Sequence, residues 1–195
     1  MFSELKDTIR SSILPLVKWI PLSPNSLTII GLLISIWAAV VFATGNMIAG
    51  ALLILFSGFF DMIDGAVARA KNRMSVFGAV LDSVCDRYAD AIVFAGIIYG
   101  SVTGTIVQPS LFSVPMWFWV IFAVIGSYMV SYVRSRAESA GVSSMNIGIA
   151  ERPERMIILV LGSLSGYLVE SIVLIVILTH ITMVQRLLYA KKELS

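Results

Sequence analysis

The sequence predicts an all-α, polytopic integral membrane protein with six transmembrane helices and an N-terminal interfacial helix. Three observations carry this. Of 195 residues, 58% are hydrophobic and 13% charged, with a mean hydropathy of +0.92, a balance foreign to soluble domains. The apolar residues fall into runs of bilayer-crossing length, separated by turn and cap residues. Once six spans are drawn, all fourteen Lys and Arg residues fall on one side or within its half of a helix, which the positive-inside rule makes cytoplasmic.

In chain order, residues 1–22 alternate Leu5, Ile9, Ile13, Leu14, Val17 and Trp19 with Lys6, Arg10 and Lys18. They read as a surface helix interrupted at Pro15, with no cleaved signal peptide. Leu22-Ser-Pro24-Asn25-Ser26-Leu-Thr28 is cap chemistry. Spans are expected over about 27–44, 47–69, 75–99, 116–137, 152–165 and 168–190. Gly45-Asn46, a polar loop to Val114, Pro115 and Gly166 divide them. The fifth span is short and needs its charged end or a partly interfacial position. The whole chain, 1–195, reads as one membrane domain, with 23–190 as its six-helix core and both termini cytoplasmic. No internal repeat is seen, and Cys85 stands alone, so no internal disulfide forms.

The residues at odds with this lipid setting lie between Asp61 and Asp86. Asp61 and Asp64 are i,i+3 and share a helix face with Gly65, Ala68 and Arg69; Asp82 and Asp86 are i,i+4, one turn after Gly78. A charge deep in a membrane helix costs at least about 2.5–3.5 kcal/mol, so four acids in 26 residues call for a shared partner. The linker, Ala70 to Ser75, is short enough to predict antiparallel neighbouring helices. Asp61 is about 12 Å along its helix from Arg69, and Asp82 about as far from Arg73, so both pairs reach one depth. An all-oxygen site there suits Mg²⁺ or Mn²⁺. Two such ions suit phosphoryl chemistry on a diphosphate.

The stretch D-x2-D-G-x2-A-R-x8-G-x3-D-x3-D, from Asp61 to Asp86, resembles the CDP-alcohol phosphotransferase family at each of its eight fixed positions. The resemblance implies that Asp61, Asp64, Asp82 and Asp86 hold the metal ions and that Asp86 is the general base. It implies nucleotide contacts from Asp61, Gly65, Ala68, Arg69 and Gly78, and from Pro24, Asn25 and Thr28. The implied reaction releases CMP from a CDP-linked lipid as the lipid phosphate passes to an alcohol, in phospholipid biosynthesis. A homodimer is also implied. Membrane lipids surround such an enzyme, and no nucleic-acid partner is expected.

Ser131-Tyr-Val-Arg134-Ser-Arg136-Ala-Glu138 and Glu151-Arg152-Pro-Glu154-Arg155 resemble the inositol-phosphate branch of the family. The acceptor expected is therefore inositol 1-phosphate, its phosphate held by Arg134, Arg152, Arg155 and Arg186, since arginine forks suit a dianion. The plainer account of these arginines is topogenic charge. Bacterial members often carry Lys at the place of Arg134. Apolar helices leave both diacylglycerol and archaeol open as the lipid, and the Ile-rich, Arg-poor composition leans towards archaeol. Glycerol 3-phosphate or another alcohol is the competing acceptor, and a divalent-cation transporter is the competing class, disfavoured by the off-centre acids. Asp90 is expected to partner Arg87, and His180 to be structural. Gly96-x3-Gly100 and Gly162-x3-Gly166 allow close helix packing and lend weak support to a dimer.

Overall fold

The computed structural model describes residues 21–71, 73–145 and 147–195. The expected interfacial helix therefore lies almost wholly outside the described residues. Those described form six helices: α1 Pro24–Ala43, α2 Met47–Ala70, α3 Val76–Thr103, α4 Met116–Ser139, α5 Arg152–Ser165 and α6 Leu168–Leu194. Four of them (α1, α2, α4 and α6) are long and apolar enough to cross a membrane. The protein is an integral membrane protein. At 28 residues α3 has the length, about 42 Å at helical rise, but it carries the acids. At 14 residues α5 is the short one.

Each helix starts and stops where local chemistry dictates. Ser23 caps α1 by accepting from Ser26 N, with Pro24 opening the helix. Asn46 caps α2 through Ala49 N, and Ser75 caps α3 through Gly78 N. Gly104 and Gly166 end α3 and α5 at φ +77° and +82°, the left-handed conformation glycine tolerates.

The first helix is the post against which α2 and α3 both pack. Its buried residues, Leu27, Thr28, Gly31, Ile34, Ser35, Ala38, Ala39 and Phe42, recur at three- and four-residue steps. Its outer face, with Leu33, Trp37 and Val40, is exposed, as lipid contact requires. Small residues set the closest approaches. A Cβ at Gly96 of α3 would lie 2.2 Å from Ala39 O, and one at Gly50 of α2 would lie 2.7 Å from the Phe42 ring. On the other side, a Cβ at Gly162 of α5 would lie 2.1 Å from Ser171 Oγ of α6. Gly96 and Gly162 are therefore used inside one chain, and their spacing carries no argument for a dimer.

One expectation is corrected here. Although α2 and α3 are joined by a short linker, they do not pack along each other. Both pack on α1, while α2 also meets α5 and α3 meets α4. The close glycine contacts with α1 draw each helix to that post and leave a gap between the two acid-bearing faces.

Candidate active site

That gap brings α2 and α3 together through side chains alone. Single carboxylate oxygens of Asp61, Asp64 and Asp82 all lie within 4.8 Å of one another. Asp64 is buried and is held by Thr28 of α1, whose hydroxyl donates to its Oδ2 at 2.6 Å. Asp82 Oδ1 is buried without a hydrogen-bond partner among the described residues, and a buried carboxylate oxygen calls for one. An orphaned oxygen in an all-carboxylate set fits a hard divalent cation.

Asp86 faces elsewhere. Its Oδ1 accepts from Arg152 Nη1, and its Oδ2 lies 3.9 Å from Arg87 Nη1. Arg152 Nη1 is also 3.0 Å from Asp61 Oδ1. The structure thus gathers three of the four acids, with Arg152 standing between the fourth and the cluster.

Of the nucleotide candidates, Asp61, Gly65 and Arg69 line the same gap, while Pro24, Asn25, Ala68 and Gly78 do not. A Cβ at Gly78 would meet Asn25 Oδ1 at 3.3 Å, so the start of α1 lies beside the start of α3. At Gly65 a Cβ would come within 3.3 Å of the Arg69 guanidinium, which lies over the bare backbone. Thr28 is the exception: its hydroxyl points to Asp64, a contact its place in a cap motif did not reveal.

Two cavities meet at this cluster. The larger, about 780 Å³, is lined by Asp61, Asp64, Gly65, Arg69 and Asp82, then by apolar residues of α2, α3 and α5 such as Ile54, Val93 and Ile157. It is polar at one end and apolar at the other. The smaller, about 180 Å³, is lined by Ser127, Tyr128, Ser131 and Arg134 of α4, with Glu151, Arg152, Arg155 and Arg186. Asp86, Asp90 and Arg152 border both.

The smaller cavity depends on the segment between α4 and α5. Arg186 of α6 donates to Val130 O at 2.7 Å, to Ile147 O at 2.7 Å and to Glu151 Oε1 at 3.1 Å. Ile149 N donates to Thr182 Oγ1, and Gly148, at φ +124°, fits against Thr182 where a side chain would clash. These bonds deliver Arg152 to the first position of α5. Arg134 is held by Glu138 at 3.0 Å and is 3.7 Å from Glu151. All four expected acceptor arginines line this cavity, while Arg136 does not. Arg186 lines it with three donors already engaged. Ser127 and Ser131 were missed by sequence reading, though with Arg134 they repeat at i, i+4 and i+7 on α4.

Asp90 requires a correction. Its partners are Arg152 (Nε to Oδ1, 3.2 Å) and Arg155 (Nη2 to Oδ2, 2.7 Å), not Arg87. Asp90 continues the inward stripe of Asp82 and Asp86, whereas Arg87 sits one residue off it and donates to Ser83 O. His180 Nδ1 lies 2.8 Å from Val176 O, one turn back on α6.

Membrane-length helices thus surround an acid cluster at the polar head of an apolar groove. Residues 21–190 match the family model for CDP-alcohol phosphatidyltransferases. The chain belongs to that family. It is 38% identical to the archaetidylinositol phosphate synthase of Methanothermobacter thermautotrophicus, over all of this chain and 96% of that one. It is likewise 38% identical to the phosphatidylinositol phosphate synthase of Mycobacteroides abscessus, over 73% of this chain and 62% of that one. Its fold is similar to the crystal structure of the Mycobacterium tuberculosis phosphatidylinositol phosphate synthase with CDP-DAG bound. The TM-score is 0.77 at 31% identity, over 96% of this chain and 94% of that one. The same enzyme in complex with manganese and citrate superposes with a TM-score of 0.76 at 31% identity, over 95% and 88% of the chains.

Proposed function

We propose that this enzyme transfers the lipid phosphate of CDP-diacylglycerol or CDP-archaeol to inositol 1-phosphate, releasing CMP. The observation that carries this reading is the pair of cavities sharing Asp86 and Arg152. One has an acid head and an apolar tail, suiting a diphosphate bearing a lipid. The other is lined by arginines, suiting a phosphorylated acceptor. The full-length similarity to an archaetidylinositol phosphate synthase supports the same acceptor.

The divalent ions, Mg²⁺ or Mn²⁺ and two in number, are assigned to Asp61, Asp64 and Asp82, with Asp86 as the fourth acid. When bound they neutralise diphosphate charge and make the β-phosphorus more electrophilic. Asn25, Pro24 and Thr28 border the nucleotide with Gly65, Ala68, Arg69 and Gly78. The bare backbone at Gly65 lets the diphosphate approach under Arg69. Arg134, Arg152 and Arg155 hold the acceptor phosphate, with Arg186 bracing the wall behind them. Asp86 takes the proton of the acceptor hydroxyl. The freed oxygen bonds to the β-phosphorus, the bond from that phosphorus to the bridging oxygen breaks, and CMP leaves with the bridging oxygen. No phosphate remains on the protein.

The membrane arrangement proposed is one domain of six crossings, with both termini and the two cavities' polar mouths on the cytoplasmic side. The short α5 crosses by packing its apolar face on α6 and leaving its charged start at the interface. A homodimer follows from the family resemblance. The test is CMP release from purified protein given CDP-lipid and Mg²⁺. Release that starts on adding inositol 1-phosphate and stops with chelator supports the reading; equal release without acceptor makes the protein a hydrolase instead.

A further inference from the structure

Asp90 is the one acid of the stripe that stands outside the family motif, and its surroundings are specific. It is 4% exposed, and the contacts of its carboxylate are with two arginines, one on each oxygen. Eight residues beyond Asp82, it lies about 12 Å deeper along α3. A carboxylate at that depth persists only if paired. Arg155 is equally buried, and its Nη1 is engaged by Ala150 O at 2.9 Å, so its guanidinium is fixed by two bonds on different sides. Arg152 differs. Its Nη1 meets Asp61 of the acid cluster and Asp86 beside it, while its Nε meets Asp90. Asp86 and Asp61 have other work in the reaction; Asp90 does not.

We propose that Asp90 is a positioning residue for the acceptor: it clamps Arg152 and Arg155 in one plane so that their free N–H groups face the smaller cavity together. The proposal rests on that cavity being the acceptor site. One carboxylate thereby ties the arginine that borders the catalytic acids to the arginine that binds acceptor phosphate. Without it Arg152 collapses onto Asp86 and Asp61, and Arg155 keeps only its backbone bond. The acceptor then meets two arginines that no longer act as a pair, while the groove for CDP-lipid, which Asp90 also borders, keeps Asp61, Asp64, Gly65, Arg69 and Asp82.

The experiment measures KM for both substrates in Asp90→Asn, Arg155→Gln and the double variant, with inositol 1-phosphate and CDP-diacylglycerol. Asp90→Asn is expected to raise KM for inositol 1-phosphate about tenfold or more, on the scale of one charged hydrogen bond. KM for CDP-diacylglycerol should move less than about threefold on that same scale. Because Asp90 acts through Arg155, the double variant should exceed the worse single variant by no more than about threefold, a strong departure from additivity. Asp90→Glu, which keeps the charge, serves if the Asn variant does not fold; its acceptor KM should rise and its lipid KM should hold. Equal shifts in both KM values, or multiplying effects in the double variant, overturn the proposal. Wild-type protein that ignores inositol 1-phosphate sinks the acceptor assignment and this proposal with it. Wild-type turnover with unsplit KM shifts sinks the proposal alone.

Discussion

Thr28 of α1 donates a 2.6 Å hydrogen bond to Asp64 of α2, from 36 positions earlier in the chain. The bond fixes which Asp64 oxygen points at the cluster and ties α1 to the acid site. Partners of metal-ligating carboxylates typically govern affinity by about ten- to hundredfold. Thr28→Val keeps the shape and removes the donor. It is expected to weaken Mn²⁺ or Mg²⁺ affinity by about that factor, read by metal titration of turnover. An unchanged metal dependence would make the bond incidental.

Asp64→Asn and Asp82→Asn are each expected to lose metal binding and turnover together, because the cluster draws on three carboxylates and a neutral amide binds a hard cation poorly. Electron paramagnetic resonance of bound Mn²⁺ checks the first loss and CMP release the second. Near-wild-type turnover at ordinary Mg²⁺ in both variants would remove the cluster from the mechanism.

Asp86→Asn is expected to bind CDP-lipid and scarcely turn over, since its amide cannot take the acceptor's proton. General-base catalysis is typically worth about a hundred- to ten-thousandfold. Binding of CDP-lipid and single-turnover rates separate the two effects. Turnover within a few-fold of wild type would require another base.

How much of this was legible in the sequence depends on what each residue faces. The acid motif sits on helices with fixed periodicity, so Asp61 shares a face with Asp64, and Asp82 with Asp86, whatever the tertiary packing. The helix ends at Ser75 and Gly166 were legible for the same reason, because caps are local, whereas α1 starts at Pro24 and not near Leu27. The separation of α2 from α3 was not, because it depends on which helix their glycines contact. Gly96 meets Ala39 from 57 positions away, and no local pattern announces that. Asp90 was misread because its arginines come from α5, 62 and 65 positions on, while Arg87 was near in sequence only.

Gly96→Ala is expected to destabilise the fold. Its Cβ would sit 2.2 Å from the Ala39 carbonyl oxygen, a backbone atom that cannot rotate away. Overpacking typically costs about 1–3 kcal/mol, so the detergent-solubilised protein should melt several degrees lower. Gly58→Ala, with nothing within 4 Å, is the control and should melt at or slightly above wild type, since alanine is the better helix former.

The central claim is the acceptor, and the most direct measurement is a competition. Purified protein receives CDP-lipid, Mg²⁺ and equal amounts of inositol 1-phosphate, glycerol 3-phosphate and free inositol, and the lipid products are identified by mass spectrometry. The account predicts one dominant product, a lipid phosphodiester of inositol that still carries its phosphomonoester, formed in step with CMP. A glycerol phosphate product, or inositol used as readily as inositol phosphate, would contradict it.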